Sequence, residues 1–134
     1  MSYSKIVAAA LTLLASSALP LHAGAEEAAI VPLLKKDLAD VPGKELLMIK
    51  VEYAPGYDGA IHRHDAHSLI YVLEGSVVMG LRGGKEVTVS QGQTFYEGPD
   101  DVHTVGRNAS MTEPARLLVV LLKKEGVPVV LPVE

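Results

Sequence analysis

The sequence predicts one all-β domain, a barrel or sandwich of short strands. Three observations lead there: apolar positions beyond Gly43 recur with a period of two, turn residues separate the runs, and that region shows no apolar repeat at helical spacing. With 134 residues in all, one core is expected rather than two.

Residues 1–25 are set apart from that domain. Lys5, the apolar stretch Ile6 to Leu19, Pro20 and the small-residue triplet Ala23-Gly24-Ala25 follow the order of a secretory signal peptide. The apolar run is shorter than the ~20 residues of a membrane-spanning helix, so cleavage after Ala25 is expected, with the mature protein periplasmic or secreted and not held in a membrane. Residues 26–43 mix apolar pairs with Lys35, Lys36, Asp37 and Asp40 and are broken by Pro32 and Pro42. They read as an irregular arm, with one helical turn at Leu33 to Leu38. Residues 44–134 are the barrel domain.

Within the domain, Leu47, Ile49, Val51 and Tyr53 alternate against Met48, Lys50 and Glu52, the pattern of a half-buried strand over Glu45 to Ala54. Further strand-like runs follow at His62-Arg63-His64, Leu69 to Leu73, Ser76 to Leu81, Glu86 to Val89, Thr94 to Tyr96, Val102 to Val105, Arg116 to Leu122 and Val127 to Leu131. Glu74-Gly75 and Arg82-Gly83-Gly84-Lys85 supply the positive φ angles that tight hairpins demand. Gln91-Gly92-Gln93 and Gly98-Pro99-Asp100-Asp101 punctuate the next runs, and Asp65, Asp100 and Asp101 suit turns because Asp bonds its own backbone.

The chain carries a formal net charge of −4 and has no cysteine. Negative charge without a basic patch argues against nucleic acid, and no basic amphipathic helix offers a membrane surface. Stability must come from packing, and from a metal if one is bound, rather than from disulfides. The expected partner is a small molecule.

Four of the five histidines lie in the β region: His62, His64, His67 and His103. Residues two apart on a strand project to one face, so His62 and His64 can aim at one point while Arg63 turns away. A third imidazole from another strand would complete a facial set for a divalent transition metal, with zinc, copper, iron and nickel all suited to such donors. Tyr53, Phe95 and Tyr96 read as core or rim packing, and Asn108-Ala109-Ser110 fits a glycosylation acceptor.

The stretch Gly56 to Gly75 resembles the first signature of the cupin family: a glycine, five residues, His-x-His, three or four residues, a glutamate, six residues and a glycine. Gly56, His62, His64 and Gly75 match. The glutamate does not, since Ser68 occupies its place. Gly92, Gly98, Asp100 and His103 follow the frame of the second signature with both turn residues replaced, and Asn108 stands one residue late.

The resemblance implies a double-stranded β-helix, or jelly-roll barrel, whose metal (iron, manganese, copper, nickel or zinc) is bound by His62, His64 and His103. Three occupants remain open for the fourth position: His67 if the chain bulges, Glu97 from the strand before the second signature, or only water and substrate. A cation short of one carboxylate would favour an anionic ligand such as an enolate or phenolate.

The family further implies a quercetinase-like dioxygenase, a sugar or keto-acid isomerase, or a module that stores a ligand or the metal. Fold alone does not decide among them. Cupin barrels pair through edge strands, which leads to the expectation of a homodimer using the runs Leu117 to Leu122 and Val127 to Leu131.

Overall fold

The computed structural model describes residues 27–134, which contain eight strands and no helix. Residues 1–25 and the expected signal peptide therefore lie outside the described residues. The strands are β1 (Ala29–Asp37), β2 (Lys44–Tyr53), β3 (Ala66–Glu74), β4 (Ser76–Leu81), β5 (Val87–Ser90), β6 (Thr94–Glu97), β7 (His103–Asn108) and β8 (Ala115–Lys124). They form a five-stranded sheet, ordered β1-β2-β8-β3-β6, and a three-stranded sheet, ordered β5-β4-β7. Every pairing is antiparallel.

Strand alternation builds the core. Ile49, Val51 and Tyr53 from β2, Ile70 and Val72 from β3, and Leu117, Val119 and Leu121 from β8 point inward to meet Val77, Met79 and Val89 of the smaller sheet. Leu117 and Leu121 are almost wholly buried. Truncating either to alanine would cost about 2–5 kcal/mol through lost transfer energy and the cavity left behind. Gly75, at φ 72°, turns β3 into β4, and a Cβ there would lie 2.7 Å from the Pro114 carbonyl oxygen. That approach admits only glycine.

The segment 26–43 departs from the expected irregular arm and from its helical turn. Residues 29–37 form β1, which extends the larger sheet beside β2 with a register shift between Pro32 and Leu34. Antiparallel pairing satisfies the backbone across the apolar pairs, and the shift absorbs the irregularity that Pro32 introduces.

The run Leu117 to Leu122 lies inside β8, between β2 and β3, so it is central rather than a free edge. Val127 to Leu131 forms no strand and makes a single bridge, Leu131 to Arg63. At the end of the β2–β8 ladder, Lys123 and Glu45 are register partners buried on the inner face, with Lys123 Nζ donating to Glu45 Oε1 at 2.5 Å. Lys35 of β1 adds a contact to Glu45 Oε2 at 3.0 Å.

Candidate metal centre

His62 and His64 sit in a segment held by backbone bridges rather than in a regular strand. His62 N–H donates to the His103 carbonyl at 3.1 Å and His103 N–H returns a bond to the His62 carbonyl at 2.8 Å. Arg63 turns the other way and exchanges two bonds with Leu131. This alternation places His62 beside His103, with ring centroids 4.9 Å apart, and carries His64 to the same side, 4.7 Å from His62.

The tautomers follow from the acceptors. His62 Nδ1 lies 2.8 Å from the Ala60 carbonyl and His64 Nδ1 lies 2.6 Å from the Val129 carbonyl. A carbonyl only accepts, so each Nδ1 carries the proton and donates it. In the neutral rings both Nε2 atoms then present lone pairs, yet they face each other at 3.2 Å.

Glu97, at the end of β6, brings a carboxylate to the same point. Its Oε2 lies 3.1 Å from His64 Nε2 and its Oε1 lies 3.2 Å from His103 Nδ1. Neither ring nitrogen of the buried His103 has a hydrogen-bond partner. Converging lone pairs repel unless a cation sits among them. A proton on His64 answers only the contacts made by His64, whereas one divalent cation answers all.

Three of the separations, 3.1 to 3.2 Å, also match the ~3.0–3.4 Å expected between donors sharing a first-row cation at ~2.1 Å bonds, and the ligand atoms of His62, His64 and His103 lie within 4.8 Å of one another. The described residues therefore fit a transition metal. Imidazoles anchored through Nδ1 to carbonyls are in the orientation that metal-binding histidines use.

The electrostatics differ from group to group. Burial and the neighbouring His62 and His64 hold His103 below the usual histidine range against the opposing pull of Glu97, which keeps it neutral with a lone pair available. Burial works against charge on His64, but the hydrogen bond and charge of Glu97 outweigh it and raise that histidine. Burial likewise opposes ionisation of Glu97, and the hydrogen bond from His64 and the nearby imidazoles overcome it, holding the carboxyl low and ionised.

Glu97 is only 2% exposed, so it does not face water at a strand end. It is the cross-strand partner of Ser68 in the β3–β6 register. The carboxylate absent from β3 thus stands one strand over.

His67 is not part of this cluster. On β3 it alternates with the buried Ser68, points to the outer face and pairs with Tyr96, its Nδ1 2.7 Å from the Tyr96 hydroxyl. No bulge carries it inward, because β3 pairs with β8 in unbroken register from Ala66 to Val72.

Asn108 is no glycosylation acceptor in this fold. It is buried, and its side-chain amide donates to the carbonyls of Tyr53, Ala54 and Glu113. Asp65 adopts a positive φ of 47° and Asp101 accepts from the Gly98 N–H, as turn formers do. No local pattern marks Gly106, whose missing Cβ leaves room for the His103 ring: a Cβ there would stand 2.8 Å from Cε1.

The cluster opens onto a cavity of about 90 Å³ walled by Ile49, Val51, Ile70, Met79, Leu117 and Val119, with Tyr53, Tyr57 and Ser68 adding hydroxyl groups. Burial raises the Tyr53 hydroxyl further above its ordinary range, so it is neutral at physiological pH. Ala28, Ile30, Leu121, Val129 and Val130 complete the lining.

The sequence matches the family model described as "Cupin domain" over residues 49–121. A search of curated proteins finds no match. Among solved structures, the chain is similar to TT1209 of Thermus thermophilus, with 26% identity over 72% of this chain and 84% of that one and a TM-score of 0.57. An uncharacterised conserved protein with a double-stranded β-helix domain from Klebsiella pneumoniae aligns at 17% identity, covering 76% and 81% of the two chains, with a TM-score of 0.59. An oxalate oxidase in complex with the substrate analogue glycolate aligns at 26% identity over 70% of this chain, with a TM-score of 0.54, and the alignment spans 50% of that longer protein.

Proposed function

The chain belongs to the cupin domain family, and from that premise we propose that it holds one divalent transition metal through His62, His64, His103 and Glu97 and uses it to bind and oxidise a small oxygenated molecule. The observation that carries the reading is the approach of His62 Nε2 to His64 Nε2 at 3.2 Å while both Nδ1 protons are committed to carbonyls. When bound, the metal would supply Lewis-acid polarisation of a ligand oxygen and, if redox-active, a route to dioxygen chemistry.

The protein's own groups do the rest. The Ala60 and Val129 carbonyls fix the tautomers and aim the lone pairs. Glu97 adds one negative charge, so a divalent ion would retain one net positive charge toward a ligand. The apolar walls exclude water and strengthen every polar contact inside. That the oxalate oxidase named above binds glycolate supports small oxygenated acids as the first molecules to try.

A non-catalytic binding module is the second reading, and one observation favours it: Glu97 is already engaged by His64 and His103, leaving no free carboxylate among the described residues of the cavity to move a proton. The same fact, with His67 on the outer face, removes support from an isomerase, which needs a positioned acid or base. Metal analysis of protein purified from its own compartment, combined with oxygen uptake in the presence of small acids, separates the two. Iron, manganese or copper with oxygen uptake is the expected result; zinc with tight ligand binding and no turnover would favour the module.

A further inference from the structure

We propose that Ser68 is the ligand-reading residue of the cavity and that the ligand is a small 2-oxygenated monocarboxylate. This rests on the metal reading above and adds the class of molecule it serves. Ser68 is 1% exposed, lines the cavity, and its hydroxyl has no hydrogen-bond partner. A buried hydroxyl left unpaired is costly, and its register opposite Glu97 sets it beside the donor cluster. An acceptor oxygen on a bound molecule would satisfy it.

Charge and volume narrow the molecule. Among the described residues lining the cavity there is no lysine or arginine, so only the metal offsets ligand charge. With Glu97 ionised, one negative charge on the ligand neutralises the site and a second would be buried unpaired. A cavity of about 90 Å³ is smaller than the ~150 Å³ that admits benzene, which limits the enclosed part to roughly four or five non-hydrogen atoms. A two-carbon acid fits, with five non-hydrogen atoms, its carboxylate toward the cation and its 2-oxygen accepting from Ser68.

Calorimetric titration of the metal-loaded protein with acetate, glycolate and oxalate tests this. Glycolate should bind at least tenfold tighter than acetate and tighter than oxalate, and Ser68→Ala should abolish the preference for glycolate over acetate at unchanged metal stoichiometry. Ser68→Ala removes only an orphan hydroxyl, so its thermal midpoint should not fall. An unchanged preference in Ser68→Ala, tighter binding of the dianion, or no binding of any acid by the loaded protein would overturn the assignment. Failure of the metal reading looks different, because wild type itself would then hold no metal.

Discussion

Ser68 and Glu97 are direct cross-strand partners in the β3–β6 ladder, both buried on its inner face. On the reading proposed above, Glu97 supplies from across the ladder the carboxylate that the family's first signature places where Ser68 stands. If so, the two positions should be interchangeable. Glu97→Gln should lower metal affinity about 10–100-fold, and Glu97→Gln/Ser68→Glu should recover most of the loss. Competition titration against a chelator measures both.

Gly106 tests how far the site depends on ring placement. A Cβ there would stand 2.8 Å from His103 Cε1 and 3.0 Å from Nε2. Gly106→Ala should displace the imidazole, weaken metal binding about 10–100-fold and cost about 1–3 kcal/mol of stability through overpacking. Chelator competition and thermal unfolding read the two effects separately.

The buried end of the barrel predicts an acid response. Glu45 is held below the usual carboxylate range, chiefly by the hydrogen bond from Lys123 and then by that from Lys35. A depressed folded-state value means a stabilising contribution that is fully present above the unfolded glutamate's range and is lost as pH falls through the lower, folded value. Measured on metal-free protein, the stability gap between wild type and Glu45→Gln should be constant above about pH 5 and shrink below about pH 4. A gap independent of pH would place the Glu45 contribution elsewhere than in its charge.

The N-terminal segment predicts processing. Lys5, the apolar run and Ala23-Gly24-Ala25 lead to a mature protein beginning at Glu26. Intact-mass analysis of the exported protein should show loss of residues 1–25, whereas a soluble cytoplasmic pool retaining Met1 would refute export.

Legibility in the sequence tracked the strength of alternation. β2 and β4 were readable to within a residue because their punctuating turns are sharp. β1 was not, because Pro32 and the register shift break the period and its charged residues resemble a loop. His62, His64 and His103 were readable from spacing. His67 misled because β3 is apolar on both faces, Leu69 and Tyr71 outside and Ile70 and Val72 inside, which hides from the sequence which face is the core. The pairing of Glu97 with Ser68 depends on tertiary register, which no local pattern encodes.

Metal content tests the central claim most directly. Protein loaded with a divalent transition metal and freed of excess should retain one ion per chain, His62→Ala and His103→Ala should retain markedly less, and His67→Ala, on the outer face, should match wild type. Unchanged stoichiometry in both His62→Ala and His103→Ala, or loss of the ion in His67→Ala alone, would contradict the site described.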